Sequence, residues 1–99
     1  MARYHNITSA TTQELIAPGK GERVSSIALT NVQGTNACDV DLYITKSLEG
    51  TFYILKDITL PVGVTLEHEF SFDNKTDQFG LYIQVTPTTS TPAVDVIIK

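Results

Sequence analysis

From Cys38 to Lys46 apolar and polar side chains alternate: Cys38, Val40, Leu42 and Ile44 share one parity, and Asp39, Asp41 and Tyr43 share the other. A helix would scatter these apolar groups around its circumference, whereas a strand gathers them on one face, so the run reads as a half-buried strand. Related patterns recur along the chain. Thr12 to Ile16 reads as a first strand, and Val24 to Val32 places Ile27 and Leu29 on one face. Val64, Leu66, His68, Phe70 and Phe72 oppose Thr65, Glu67, Glu69 and Ser71. Phe79, Leu81, Ile83 and Val85 form another inward set, and Val94, Val96 and Ile98 a last one. Thr51 to Ile58 is apolar on both faces, with Phe52 and Ile54 opposed to Tyr53 and Leu55.

Turn residues divide these runs at Pro18-Gly19-Lys20-Gly21, around Gly34 and Asn36, at Gly50 and at Leu60-Pro61-Val62-Gly63. In the last, Pro sets φ for an early turn position and Gly accepts positive φ two residues later. Polar loops are expected at Asp73 to Gln78 and Thr86 to Pro92. With 14 Thr, 8 Val and 9 Ile, nearly a third of the 99 residues are β-branched, and no run has the apolar pattern of a three-turn helix. The expectation is an all-β fold: a compact antiparallel β-sandwich, jelly-roll or Ig-like, of seven to eight strands. One domain spans residues 1–99, with a short polar N-terminal arm over 1–10 and the sandwich over 11–99. Leu42, Ile44, Leu66, Phe70, Leu81, Ile83 and Val96 are its expected core.

Seven Lys and Arg against eleven Asp and Glu give a net charge of -4, and the cations stand singly along the chain. Binding to nucleic acid needs clustered positive charge that releases phosphate counterions, so no nucleic-acid partner is expected. No membrane partner is expected either, since anionic surfaces attract the same clusters and no apolar run approaches the roughly 20 residues of a spanning helix. The first ten residues lack the basic-then-apolar order of a signal peptide, which implies synthesis in a cytoplasm. One cysteine, Cys38, closes no intrachain disulfide and builds no structural zinc site.

The candidate chemistry reads mostly as structure. Asp39 and Asp41 project from one face of a strand, as do Glu67 and Glu69; either pair suits a cation or an acid–base couple, but without further ligands each reads as a solvated face. Asp73-Asn74-Lys75-Thr76-Asp77 lacks the order and the distal Glu of a calcium loop. His68 lies between Leu66 and Phe70 on the apolar parity, as a core-edge histidine would, and Cys38 shares the parity of Val40 and Leu42, as an inert buried thiol would. No catalytic motif is present, so no catalytic residue, metal or cofactor is expected. If the alternating apolar sets turn inward, Tyr43, Tyr82 and Ile97 point outward. Outward aromatics on several strands suit a surface covered by another chain, or are single exposed tyrosines that merely favour strands. His5, with Arg3 and Tyr4 on the polar arm, is a candidate contact residue.

The order of the pieces Tyr4-His5-Asn6-Ile7-Thr8-Ser9, Thr12-Gln13-Glu14-Leu15-Ile16, Ser26-Ile27-Ala28-Leu29-Thr30-Asn31, Asp39-Val40-Asp41-Leu42-Tyr43-Ile44, Tyr53-Ile54-Leu55-Lys56 and Leu60-Pro61-Val62-Gly63-Val64 resembles small virion structural proteins of tailed bacteriophages, those of T4-like phages of marine cyanobacteria above all. The resemblance runs from Tyr4 to about Ile83. It implies a non-enzymatic virion component that decorates or cements the capsid, with a neck or tail position and a carbohydrate- or receptor-binding module of a tail fibre as alternatives. The implied partners are the major capsid protein or other virion proteins and further copies of the chain. On this reading Arg3, Tyr4, His5, Tyr43 and Tyr82 form the protein interface.

Overall fold

The computed structural model describes residues 3–8, 12–19, 23–46, 48–73, 78–87 and 92–99. They form eight strands and, among the described residues, no helix: β1 (Arg3–Ile7), β2 (Thr12–Ile16), β3 (Arg23–Asn31), β4 (Cys38–Lys46), β5 (Gly50–Leu60), β6 (Thr65–Asp73), β7 (Gly80–Pro87) and β8 (Val94–Ile98). One sheet, A, has the order β1-β8-β3-β6, and the other, B, the order β2-β7-β4-β5. Every pairing is antiparallel. The first strand pairs with the eighth, the second with the seventh, the third with the sixth and the fourth with the fifth, as in one long hairpin bent at the β4–β5 turn and rolled into two layers. That is a jelly roll, which settles the choice left open between jelly-roll and Ig-like connectivity.

The alternating residues explain the layers. Leu42, Leu81, Ile83, Val85, Leu29, Val96 and Ile98 are completely or almost completely buried between the sheets. Ile44, Leu66 and Phe70, expected in the core, are only half-buried and pack against its margin. For Leu66 and Phe70 the reason is position. Strand β6 is the last strand of sheet A, so a residue of inward parity there has cover on one side only; on that strand Phe72 alone is buried.

Two sequence expectations need correction. Residues 3–7 are no free arm: they form β1, paired with β8 from Arg3 opposite Ile98 to Ile7 opposite Val94. Arg3, His5 and Ile7 share the inward parity, and Ile7 is buried; a charged residue at an inward edge position made the strand look like a polar tail. Strand β5 is not apolar on two faces by design. Its register against β4 slips twice between Val40 and Tyr43, so Ile54 and Leu55 both pack toward the core while Tyr53 faces out. Residues 1–2 and 9–10 of the expected arm, Lys20-Gly21, residues 74–77 of the expected polar loop and the stretch 88–91 lie outside the described residues.

A buried asparagine ties the end of sheet A to its loops. Asn31 is wholly inaccessible; its Nδ2 donates to the carbonyls of Leu60 (2.9 Å) and Asn36 (3.1 Å), and its Oδ1 accepts from the Gln33 amide at 3.0 Å. Its backbone exchanges bonds with the Pro61–Val64 turn, where Gly63 donates to the Asn31 carbonyl from φ 75°. The chain thereby crosses from β5 in sheet B to β6 in sheet A through four residues.

Candidate functional site

Registers across sheet B bring four outward residues into one row. Glu14 on β2 faces Tyr82 on β7, Tyr82 faces Tyr43 on β4, and Tyr43 faces Tyr53 on β5. The Tyr43 and Tyr82 rings stack with centroids 5.8 Å apart and planes 17° from parallel, and Tyr43 meets Tyr53 at 5.3 Å with a 48° tilt. Both distances lie in the range where aromatic pairs attract beyond their area.

Each end of the row is anchored. The Tyr82 hydroxyl donates to Glu14 Oε2 at 3.1 Å. Burial raises the Tyr82 phenol above its ordinary value, and the hydrogen bond to Glu14 and the charges of Glu14 and Tyr43 add to the rise. Gly80, two residues earlier on the same face, leaves the space its neighbour's ring occupies: a Cβ there would lie 2.7 Å from Tyr82 Cε1. At the other end the Lys56 ammonium stands 4.7 Å from the Tyr53 ring centroid and 3.7 Å from Asp41 Oδ2, a cation–π contact held in place by a carboxylate.

The strand acids serve this surface as structure. Asp41 Oδ1 accepts the Asp57 backbone amide at 2.7 Å, where Asp57 takes the left-handed φ of 52° within the β5 irregularity. Asp39 Oδ1 accepts the Thr59 hydroxyl at 2.9 Å. The two carboxylates are therefore each committed to β5, and do not converge on a third ligand; among the described residues no group of three His, Cys, Asp or Glu is placed to hold a metal. Cys38 is buried, and burial, helped by Asp39, pushes its thiol up, away from the thiolate a nucleophile needs. His68 stacks on Phe70 at 5.9 Å.

The five interface residues expected from sequence do not form one patch. Tyr43 and Tyr82 are neighbours on the outer face of sheet B, whereas Arg3, Tyr4 and His5 belong to β1 in sheet A. Tyr4 is 72% exposed and opposite Ile97 on the outer face of that sheet. Arg3 and His5 turn inward at the sheet margin, where Arg3 Nη2 donates to the Arg23 carbonyl at 3.4 Å. Burial, with Arg3 beside it, lowers the His5 pKa. Sequence reasoning missed Tyr53 and Lys56 as parts of the row; with apolar residues on both parities of β5, alternation does not say which side Tyr53 takes, and only the strand register shows that it meets Tyr43.

No protein-family model matches the chain, and no curated protein matches it in sequence. Among solved structures it is similar to the Yersinia pseudotuberculosis-derived mitogen, with a TM-score of 0.57 and 12% identity over 100% of this chain and 83% of that one. A chain of infectious bursal disease virus, Gx strain, matches with a TM-score of 0.40 and 10% identity, over 98% of this chain and 32% of that one. A chain of the T13 particle of the same virus matches with 0.40 and 10%, over 98% and 31%. This chain thus spans about a third of the viral chains' length. At 12% identity, what the mitogen and this chain share is an all-β fold.

Proposed function

We propose that the protein is a non-enzymatic structural component of a tailed-phage virion, a decoration or cement protein that docks on the assembled capsid through the outer face of sheet B. The observation that carries this reading is the anchored row Glu14–Tyr82–Tyr43–Tyr53–Lys56. Its side chains are already held by one another, so a partner that covers them orders few new rotamers, and pre-ordering of this kind raises affinity without enlarging the contact. Tyrosine supplies apolar area with a hydrogen-bonding tip, a combination enriched where proteins meet. The choice of a phage particle in this proposal rests on the sequence resemblance to phage virion proteins; the jelly roll by itself does not favour it, because capsid and lectin domains both use it.

A carbohydrate-binding reading draws on the same tyrosines, and the ring geometry weighs against it. A sugar stacks on an open aromatic face, but Tyr43 is flanked by two rings and Tyr53 by one ring and the Lys56 ammonium. Mass spectrometry of purified particles tests the proposal. The expected result is the protein in the virion at a copy number comparable with the major capsid protein, with Tyr43→Ala and Tyr82→Ala chains folding normally but incorporating poorly. A small fixed number per particle points instead to a neck or tail ring, and glycan-array binding lost in the same variants overturns the assembly reading.

A further inference from the structure

The four sheet edges are not equally closed to another strand. An exposed edge offers unpaired backbone donors and acceptors, and proteins blunt it with inward charges, irregular register or brevity. Strand β1 has five residues, with Arg3 and His5 at inward positions; β2 has five, with a register shift between Glu14 and Ile16. Strand β5 is irregular around Asp57. On β6 the segment Thr65 to Glu69 keeps a regular register against β3, contains neither Pro nor Lys, and among the described residues has no strand on its other side.

This segment alternates chemically. Leu66 and His68, of inward parity, are half-buried at the margin of the core, while Glu67 and Glu69 are exposed on the outer face. Ser25 and Ser26 of β3 and Glu67, His68 and Glu69 line a polar groove of about 450 Å³ over the β3–β6 pairing, on the side away from the open edge. A second copy of β6 added antiparallel would set glutamates against glutamates on one face, a repulsive pairing. No described strand of this chain carries two Lys or Arg on one face either, so another copy offers no complementary edge.

We infer that β6 is an acceptor edge for an extended segment of a different protein, one that alternates basic and apolar residues. Its backbone pairs with Thr65 to Glu69, its Lys or Arg side chains lie against Glu67 and Glu69, and its apolar side chains cover Leu66 and the His68–Phe70 stack. This surface lies on sheet A and is independent of the tyrosine row on sheet B.

The test uses the full chain, labelled with nitrogen-15, and the synthetic peptide Lys-Val-Lys-Thr-Lys-Val-Lys, with Glu-Val-Glu-Thr-Glu-Val-Glu as its opposite. The basic peptide is expected to shift the amides of β6 and β3, to slow hydrogen exchange in Thr65 to Glu69, and to bind at least about tenfold more weakly when salt rises from about 50 to 500 mM. The Glu67→Gln/Glu69→Gln chain should lose most of the binding, and Glu67→Lys/Glu69→Lys should exchange the basic peptide for the acidic one. Tyr82→Ala should bind as the wild type does, which separates this inference from the capsid-docking proposal. Shifts confined to the tyrosine row, undiminished binding by the Gln double variant, or self-association through β6 would each overturn it.

Discussion

Tyr82 and Glu14 are joined by a hydrogen bond of 3.1 Å that links β7 to β2 at one end of the aromatic row. The Glu14 carboxylate accepts from the phenol only while the phenol keeps its proton, so the bond and the negative charge add to the burial that holds the Tyr82 pKa above 10.0. In spectrophotometric titration Tyr82 should ionise later than an exposed tyrosine, and Glu14→Gln should bring it back toward the ordinary value. The folded state holds this proton more tightly than the unfolded chain, so the associated stability is full below pH 10 and fades as pH rises through the raised pKa.

Asn31→Leu should destabilise the fold by on the order of 2–3 kcal/mol, because it keeps the volume but removes the side-chain partner of the buried Leu60 carbonyl and one partner each of the part-buried Asn36 carbonyl and Gln33 amide. Urea unfolding checks this: the midpoint should fall while the slope stays unchanged, as it does when stability alone is altered.

Leu81 and Leu66 have the same side chain at different depths. Leu81→Ala, at a site with no exposed area, should cost about 2–5 kcal/mol, and Leu66→Ala, at the margin, clearly less. Equal losses in parallel denaturation curves would mean that β6 is covered more fully than its edge position implies.

His5 gives acid sensitivity. Burial, then the neighbouring Arg3 charge, lowers its pKa below 6.5, so between that lowered value and 6.5 the unfolded chain binds more protons than the folded one. Stability should therefore fall as pH drops from 7 through this window, and His5→Gln should flatten that part of the profile. Thermal melts at stepped pH measure it.

Cys38 should react slowly with an aromatic disulfide reagent in the native protein and rapidly in denaturant, since the thiol is buried and its pKa is raised. Fast native labelling would place that end of β4 outside the core.

Strand parity is legible on the strands that have neighbours on both sides: the bounds of Cys38–Lys46 follow from alternation and turn residues alone, and Leu81, Ile83, Val85, Val94, Val96 and Ile98 all face the core as their parity requires. On the edge strand β2 the bounds Thr12–Ile16 are legible as well. The two edges of sheet A are harder to read. On β1 the inward positions hold Arg3 and His5, so a real strand looked like a tail, and on β6 correct parity overstated the burial of Leu66 and Phe70. The candidate site was half visible: Tyr43 and Tyr82 were expected outward, but their contact with each other and with Tyr53 depends on which residue lies opposite which. The irregularity in β5 hides that register from the linear pattern. Asn31 gave no signal, since one polar residue at a strand end resembles any other.

The rolled hairpin also sets a schedule for the living chain. Asn6 and Asp95 hydrogen-bond across 89 positions of sequence, and β8 is an inner strand of sheet A, seated between β1 and β3. During synthesis β1 and β3 emerge early with nothing between them, so sheet A cannot close while the ribosome is still working through residues 94–98. A nascent or prematurely ended chain is thus a half-built layer with bare apolar strands, a natural substrate for chaperones and proteases. Only chains read through to the eighth strand acquire the closed sandwich that presents both outer faces.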